Sequence, residues 1–179
     1  MYILVEKAGI LNDRAIQLAH AGSFDEALAC LKRAVTIEKD NYLLWFNLGV
    51  TYRDAGKLGD ARKALEKAYE INSTDEDVIE MLAVVCFDMK DYDDALVYCS
   101  EGIEFNENNP HLWNTAGVVY FNRKEYDKAA EAFEVAVTLN PYYYDCLFNL
   151  HDTYEELGNT NGAADVSARM KEIEKGMEK

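Results

Sequence analysis

Proline, glycine and cysteine are all scarce in this sequence. Its 179 residues include 2 prolines and 10 glycines, which leaves little room for linkers or for many short strands joined by turns. The cysteines Cys30, Cys86, Cys99 and Cys146 are far apart and form no CxxC pair, so we interpret them as unpaired thiols of a cytoplasmic protein. No apolar run reaches the roughly 18 residues of a membrane span. The N-terminal MYILVEKAG lacks the charged and long apolar regions of a secretory signal.

Positive charge is scarce as well. The chain has 18 lysines and arginines against 33 aspartates and glutamates, a formal net charge of −15. An acidic surface repels phosphate backbones and anionic headgroups, so we expect neither nucleic acid nor a membrane as partner. A protein with a neutral or basic surface is the better expectation. The acidity also favours solubility, and that explanation stays open beside it.

Catalytic motifs are missing from the sequence. It contains no GxxxxGK[ST], GxGxxG or GxSxG, which are the patterns of phosphate loops, dinucleotide sites and nucleophile elbows. His151 and Glu155 are spaced i, i+4 and could touch a metal. Two ligands are too few for a site, and we expect Asp152 to point elsewhere on the helix. The sequence therefore predicts no enzyme, no cofactor and no metal site.

The composition that remains is that of a folded helical protein. Hydrophobic residues make up 49% and charged residues 28% of the chain. Alanine, leucine, glutamate and lysine dominate the long stretches, and these residues lose little rotamer freedom in a helix. An all-α protein is predicted before any motif is considered.

A repeated segment gives the strongest signal in the sequence. The residues WFNLGVTY at 45–52 resemble WNTAGVVY at 113–120, two periods of 34 residues later. IEMLAVVC at 79–86 and LFNLHDTY at 147–154 stand at the same phase. A second segment recurs as FDEA at 24–27, YDDA at 92–95 and YDKA at 126–129. Self-similarity at a fixed period near 34 indicates an array of helical repeats.

These residues resemble the tetratricopeptide repeat (TPR) family, whose pattern is W-x2-L-G-x2-Y, then alanine, an aromatic residue and proline. The best match is the fourth repeat, with Trp113, Gly117, Tyr120, Ala129 and Pro141 in register. The repeats are 8–41, 42–75, 76–109, 110–143 and 144–177. The resemblance implies an α-solenoid of five helix–turn–helix repeats that forms a right-handed superhelix. We expect a single TPR domain over residues 1–179.

Small residues explain the repeat physically. Gly49, Ala83 and Gly117 are expected to let the first helix of a repeat (helix A) approach the second (helix B) closely. Gly22, Gly56 and Gly158 can end helix A with a left-handed residue. In the third and fourth repeats Lys90 and Lys124 replace that glycine, so those turns must differ or carry strain. Trp45, Tyr52, Trp113 and Tyr120 lie at i and i+7 on one face and are interpreted as core.

The outer repeats depart from the pattern, as terminal repeats usually do. In the fifth, His151 takes the small-residue position and Ser167 the position of Phe133. Its helix B, about 161–175 by this repeat register, has no following repeat to face. We interpret this helix as a cap, with Ser167, Arg169, Lys171, Glu172 and Glu174 on a wet outer side. The alternative is that the chain was cut from a longer array.

The resemblance implies that a partner lies in a concave groove lined by A helices. Groove-facing positions are the fifth, ninth and twelfth of each repeat, which share a helix face. We call the candidate partner-binding residues at these positions the A-helix face. They are Ile16, Phe46, Val50, Arg53, Glu80, Val84, Phe87, Asn114, Val118, Phe121, Phe148, Asp152 and Glu155. If exposed, such an apolar strip is an interaction surface; alternatively, its side chains pack between neighbouring A helices and close it.

Charge predicts the kind of partner. By the repeat register the A helices carry Arg14, Arg53 and Arg123 but ten carboxylates, with Asp145, Asp152, Glu155 and Glu156 in the last of them. We therefore expect a groove that is apolar along its middle and acidic at its C-terminal end. It would bind a peptide or helix of another protein that has apolar anchors with lysine or arginine nearby.

Two further hypotheses concern the mode of binding. Co-chaperone members of the family grip a carboxylate with lysine, asparagine and arginine, and Asn47 and Asn149 stand at a plausible asparagine position. Phe46 and Val50, however, stand where two of the other residues are expected, so this mode is rejected. The alternative to partner binding is structural: the apolar segment Tyr2–Val5, or a poorly capped end, mediates self-association.

Overall fold

The computed structural model describes residues 7–177, and over that range it consists of ten α-helices with no strand. They are α1 (Ala8–His20), α2 (Phe24–Ile37), α3 (Tyr42–Asp54), α4 (Leu58–Ile71), α5 (Glu76–Asp88), α6 (Tyr92–Phe105), α7 (Pro110–Asn122), α8 (Tyr126–Leu139), α9 (Tyr144–Glu156) and α10 (Thr160–Met177). Among them, no helix combines the length and apolar character that crossing a membrane requires. The predicted all-α helical repeat fold is confirmed.

Helix lengths alternate with the repeat. The A helices α1, α3, α5, α7 and α9 each have 13 residues and begin at the first residue of the five predicted repeats. The B helices α2, α4, α6 and α8 have 14 residues. The last helix, α10, has 18 residues and extends beyond the predicted 161–175 at both ends.

The helices form two compact units, the first ending at Asp91 and the second beginning at Tyr92. In the first unit (α1–α5) consecutive helices pack on one another, and α3 also touches α1 and α5. In the second unit (α6–α10) consecutive helices again pack together, and α7 touches α9. Within each unit, neighbouring A helices therefore lie side by side. The single domain over 1–179 stays a prediction.

Glycine is required where an A helix meets the B helix of its own repeat. A Cβ built on Gly117 would lie 2.6 Å from the ring of Phe133, and one built on Gly49 would lie 2.5 Å from Cγ of Leu65. Both Phe133 and Leu65 are fully buried. The predicted close approach of helices A and B is confirmed at these two positions. The space that faces each glycine is filled by a large side chain of helix B, because the protein interior is close-packed.

The turns between helices A and B all pass through a left-handed residue. Gly22, Gly56 and Gly158 have φ between 70° and 76°, as predicted. Lys90 and Lys124 adopt the same conformation, with φ of 65° and 61°. Their backbone hydrogen bonds also match: Asp91 N–H donates to Cys86 O, as Lys57 N–H does to Tyr52 O. The lysine turns thus keep the backbone geometry of the glycine turns. They carry steric strain because lysine, unlike glycine, has a Cβ.

The third position of each repeat distinguishes an end from an interior repeat. Leu44, Val78, Leu112 and Cys146 are at most 3% exposed, because each follows a B helix that packs on its own A helix. Ile10 holds the same position in the first repeat, before which residues 7–177 contain no B helix, and is 64% exposed. The face of α1 that would stack on a preceding repeat therefore faces solvent.

The tryptophans occupy equivalent places in the two units. Trp45 and Trp113 are partly buried against the hydrophobic cores of their units, as predicted. The indole N–H of Trp45 donates to Lys39 O at 2.8 Å, and that of Trp113 donates to Glu107 O at 2.9 Å. Each tryptophan therefore fixes the turn that precedes its own helix.

The outer side of α10 is less uniformly wet than predicted. Lys171 and Glu172 are exposed, but Arg169 reaches Pro141 O at 3.5 Å and Glu174 accepts a hydrogen bond from Tyr144 at 2.5 Å. These two side chains contact the turn before α9 and the start of that helix. Because α10 is longer than the other B helices, its last turns extend to that region.

Candidate functional site

All thirteen residues of the A-helix face are at least partly exposed. Ile16 is 38% exposed and Phe148 52% exposed, which is unusual for large apolar side chains. The other apolar members, Phe46, Val50, Val84, Phe87, Val118 and Phe121, are half-buried. In the second unit Val118 and Phe121 pack against the hydrophobic core, and the Phe121 ring meets Tyr126 edge-on at 5.3 Å. In the second unit the face is therefore an accessible apolar surface in which Val118 and Phe121 are supported by the core.

In the first unit the one cation of the A-helix face, Arg53, is engaged in an ion pair. Arg53 Nε lies 3.0 Å from Asp88 Oδ2, and its Nη1 lies 3.9 Å from the sulfur of Met81. The guanidinium thus joins α3 to α5 and is engaged by groups of its own unit. A partner of the first unit meets an apolar surface that carries this ion pair and the partly exposed Glu80.

In the second unit the A helices carry only one sign of charge. Helix α7 contains no charged residue, and α9 contains four carboxylates and neither lysine nor arginine. Arg123, assigned to a helix A from the repeat register, lies one residue beyond the end of α7. It pairs there with Asp93 at 2.6 Å and Glu125 at 2.8 Å. The second unit therefore presents an acidic end, on α9.

A pocket of about 230 Å³ opens between α7 and α9. The residues that line it are Val118, Phe121, Asn122, Phe133, Asn149 and Asp152. Three of them belong to the A-helix face and were singled out from the sequence. Asn122 was not, and Phe133 and Asn149 were singled out for other roles, because nothing in a helical repeat predicts where two helices leave a gap. The pocket has an apolar floor of Val118, Phe121 and Phe133, with Asp152 among its polar lining.

Asp152 does not point away from His151, so that expectation was wrong. Its Oδ1 lies 3.4 Å from His151 Nδ1. Ligand atoms of His151, Asp152 and Glu155 all lie within 4.8 Å of one another. The side chains converge because Glu155 is one turn from both of the others. They form a small, partly exposed cluster with two carboxylates at the acidic end of the second unit.

Asparagine pairs connect neighbouring A helices inside each unit. Asn47 Nδ2 donates to Asn12 Oδ1 at 2.8 Å, and Asn149 Nδ2 donates to Asn114 Oδ1 at 3.2 Å. The sequence marked Asn47 and Asn149 as the asparagines that a carboxylate-gripping groove would use. Their amide nitrogens, the donors such a ligand would need, are engaged with another side chain. The rejection of that mode gains support from these contacts.

Two titratable groups of the second unit, one buried and one partly buried, have raised pKa values. Burial raises the pKa of the Cys146 thiol to about 12, and this thiol donates to Phe133 O at 3.7 Å. Burial, together with a hydrogen bond to Glu134, raises the pKa of Tyr154 to about 12. Both groups stay protonated at neutral pH and act as packing side chains.

Family models match along most of the described chain. Three models, each described as tetratricopeptide repeat, match residues 6–74, 52–117 and 110–143. A search of curated proteins found no match.

Solved structures with the same fold cover nearly the whole chain. A crystal structure of MamA matches with a TM-score of 0.82 at 22% identity, over 99% of this chain and 98% of that one. MamA from Desulfovibrio magneticus RS-1 matches with a TM-score of 0.85 at 19% identity, over 99% and 100%. YrrB, described as a TPR protein with an unusual peptide-binding site, matches with a TM-score of 0.70 at 22% identity, over 91% and 84%. At such identities these similarities establish the fold alone.

Proposed function

Since this chain belongs to the tetratricopeptide repeat family, a family of protein-interaction scaffolds rather than enzymes, we propose that it binds a peptide or helix of a partner protein on its A-helix face. The observation that carries the proposal is the exposure of Phe148, 52%, among half-buried apolar residues of the same face. A large aromatic side chain that is open to solvent on an apolar surface is a typical anchor of an interface.

Two further observations support this surface. The pocket between α7 and α9 opens on it, and a cavity of about 230 Å³ has room for a single side chain of a partner. YrrB, which has the same fold, is described as having a peptide-binding site. We also propose the concave groove of the family as the path of the ligand. A cytoplasmic location is proposed on the strength of four free cysteines.

The test is selection of random phage-displayed peptides on the immobilised full chain, followed by affinity measurement with synthetic peptides. The variant Phe148→Ala removes an exposed ring and should weaken binding about tenfold or more. Phe105→Ala is the matched control, because Phe105 is 57% exposed on α6, a B helix of the same unit. Equal loss in the two variants would contradict the proposal.

Phe87→Ala and Phe121→Ala are secondary variants that should also abolish binding. Phe121 contacts the core and Tyr126, so its variant needs a helicity and melting control. Retention of partner capture by the double variant would count against the A-helix face.

A second candidate function is self-association through the N-terminal end. The specific observation is Ile10, 64% exposed at a position that every later repeat buries. The segment Tyr2–Val5, for which the same role is predicted, lies outside the described residues. Sedimentation of the chain with and without residues 1–7, and of Ile10→Gln, tests this candidate. An unchanged monomer in all three cases would rule it out.

A further inference from the structure

The pocket between α7 and α9 has the chemistry of a site for one cationic side chain. Its floor, Val118, Phe121 and Phe133, is apolar and suits a methylene chain. Its polar lining, Asn122, Asn149 and Asp152, comes from the same two helices. We infer that this pocket accepts a lysine side chain of the partner and that it sets the specificity of the interaction. The inference rests on the proposed function.

The two asparagines of the pocket make hydrogen bonds inside the protein through their amide nitrogens. Asn122 donates its Nδ2 to Val118 O at 2.8 Å, and Asn149 donates its Nδ2 to Asn114 Oδ1 at 3.2 Å. Each amide nitrogen thus has one of its two donors engaged inside the protein, and the carbonyl oxygen of each side chain is an acceptor for a ligand. Asp152 adds a carboxylate. The pocket is therefore lined by three acceptor side chains, and a lysine ammonium has three donors and no acceptor.

The charge around the pocket also favours a cationic side chain. Asp152 lies beside Glu155 and His151, and α7 and α9 contain neither lysine nor arginine. The first unit differs, because Arg53 of α3 already pairs with Asp88. A cation brought by a partner is thus attracted to the pocket of the second unit, where no lysine or arginine of α7 or α9 competes for Asp152.

The shape of the pocket favours lysine over arginine. Guanidinium is a planar fork that pairs best with one carboxylate in a bidentate manner, whereas ammonium is a compact charge whose donors point in several directions. Here the acceptors belong to three separate residues around a cavity of about 230 Å³. Separate acceptors around the cavity match the compact ammonium group of lysine.

The experiment uses peptides selected on the immobilised full chain from a random displayed library. We expect the selected sequences to share one lysine next to an apolar residue. In fluorescence polarisation with the synthetic peptide, norleucine in place of that lysine should weaken binding about tenfold or more, and arginine should also bind less well than lysine. Asp152→Asn should reduce the difference between lysine and norleucine to near zero.

Asp145→Asn is the control variant, because it removes the same charge from another exposed position of α9. It should keep the difference between lysine and norleucine. Equal binding of lysine and norleucine peptides, tighter binding of arginine, or an Asp152→Asn variant that still prefers lysine would each overturn the inference. Such results would leave the proposed function standing if Phe148→Ala still weakened binding. Failure to select any peptide would overturn both.

Discussion

The A helices of the two units are built on the same repeat but carry charge differently. Helices α1, α3 and α5 include two arginines, Arg14 and Arg53, as well as carboxylates, and Arg53 is paired with Asp88. Helices α7 and α9 include four carboxylates and neither lysine nor arginine. Small residues, caps and buried positions keep the two units alike, while the exposed face is free to vary. The small, capping and buried positions therefore determine the fold. We propose that the exposed positions determine the choice of partner.

The largest expected difference between the two units is the reactivity of their most accessible cysteines. Cys30 in the first unit is partly exposed, whereas Cys86 of the same unit and Cys99 and Cys146 of the second are buried. With a pKa of about 12, the Cys146 thiol should be ionised roughly a thousandfold less at pH 8 than an ordinary cysteine. Alkylation of the native protein followed by peptide mass spectrometry should label Cys30 first. Labelling of Cys146 at the rate of Cys30 would contradict the packing of α9 on α8.

Overpacking should destabilise both units alike. Gly49→Val and Gly117→Val place side-chain atoms where Leu65 and Phe133 already lie, so each should lower the free energy of unfolding by ~1–3 kcal/mol in urea titrations. Gly59→Ala, in α4 with no atom near its Cβ, is the control and should raise stability by roughly 0.5–1 kcal/mol. Tolerance of valine at one glycine alone would mean that the two units do not share this contact.

Relief of the strained turns should give a smaller effect. Lys90→Gly in the first unit and Lys124→Gly in the second remove a side chain from a left-handed residue. Each should raise the free energy of unfolding by about 1 kcal/mol, because the steric cost exceeds the entropy of the new glycine. Gly56→Lys is the reciprocal variant and should lose a similar amount. No change in thermal or urea unfolding for all three would show that these turns are not strained.

Most of the fold could be predicted from the sequence, because it depends on spacing. The phase of Trp45 and Trp113 set the repeat boundaries, and the glycines and alanines at fixed offsets set the close contacts between helices. The left-handed turns at Lys90 and Lys124 were predicted only as one of two options. A single sequence does not reveal whether a turn changes shape or accepts strain.

The A-helix face could be located by position, but its chemistry could not. The pocket lined by Asn122 and Asn149 depends on a gap between two helices, and the pairing of Arg53 with Asp88 depends on distances across helices. The direction of Asp152 was predicted wrongly, because side-chain rotamers decide it and the helical period does not. Contacts of this kind require coordinates.

The measurement that tests the central claim most directly is the affinity of the full chain for a peptide selected on it, compared with Phe148→Ala and Phe105→Ala. Both variants remove a similarly exposed phenylalanine from the second unit, one from the A-helix face and one from a B helix. Our account predicts a loss of about tenfold or more for Phe148→Ala and no loss for Phe105→Ala. Unchanged affinity in Phe148→Ala, or an equal loss in both, would contradict binding on the A-helix face.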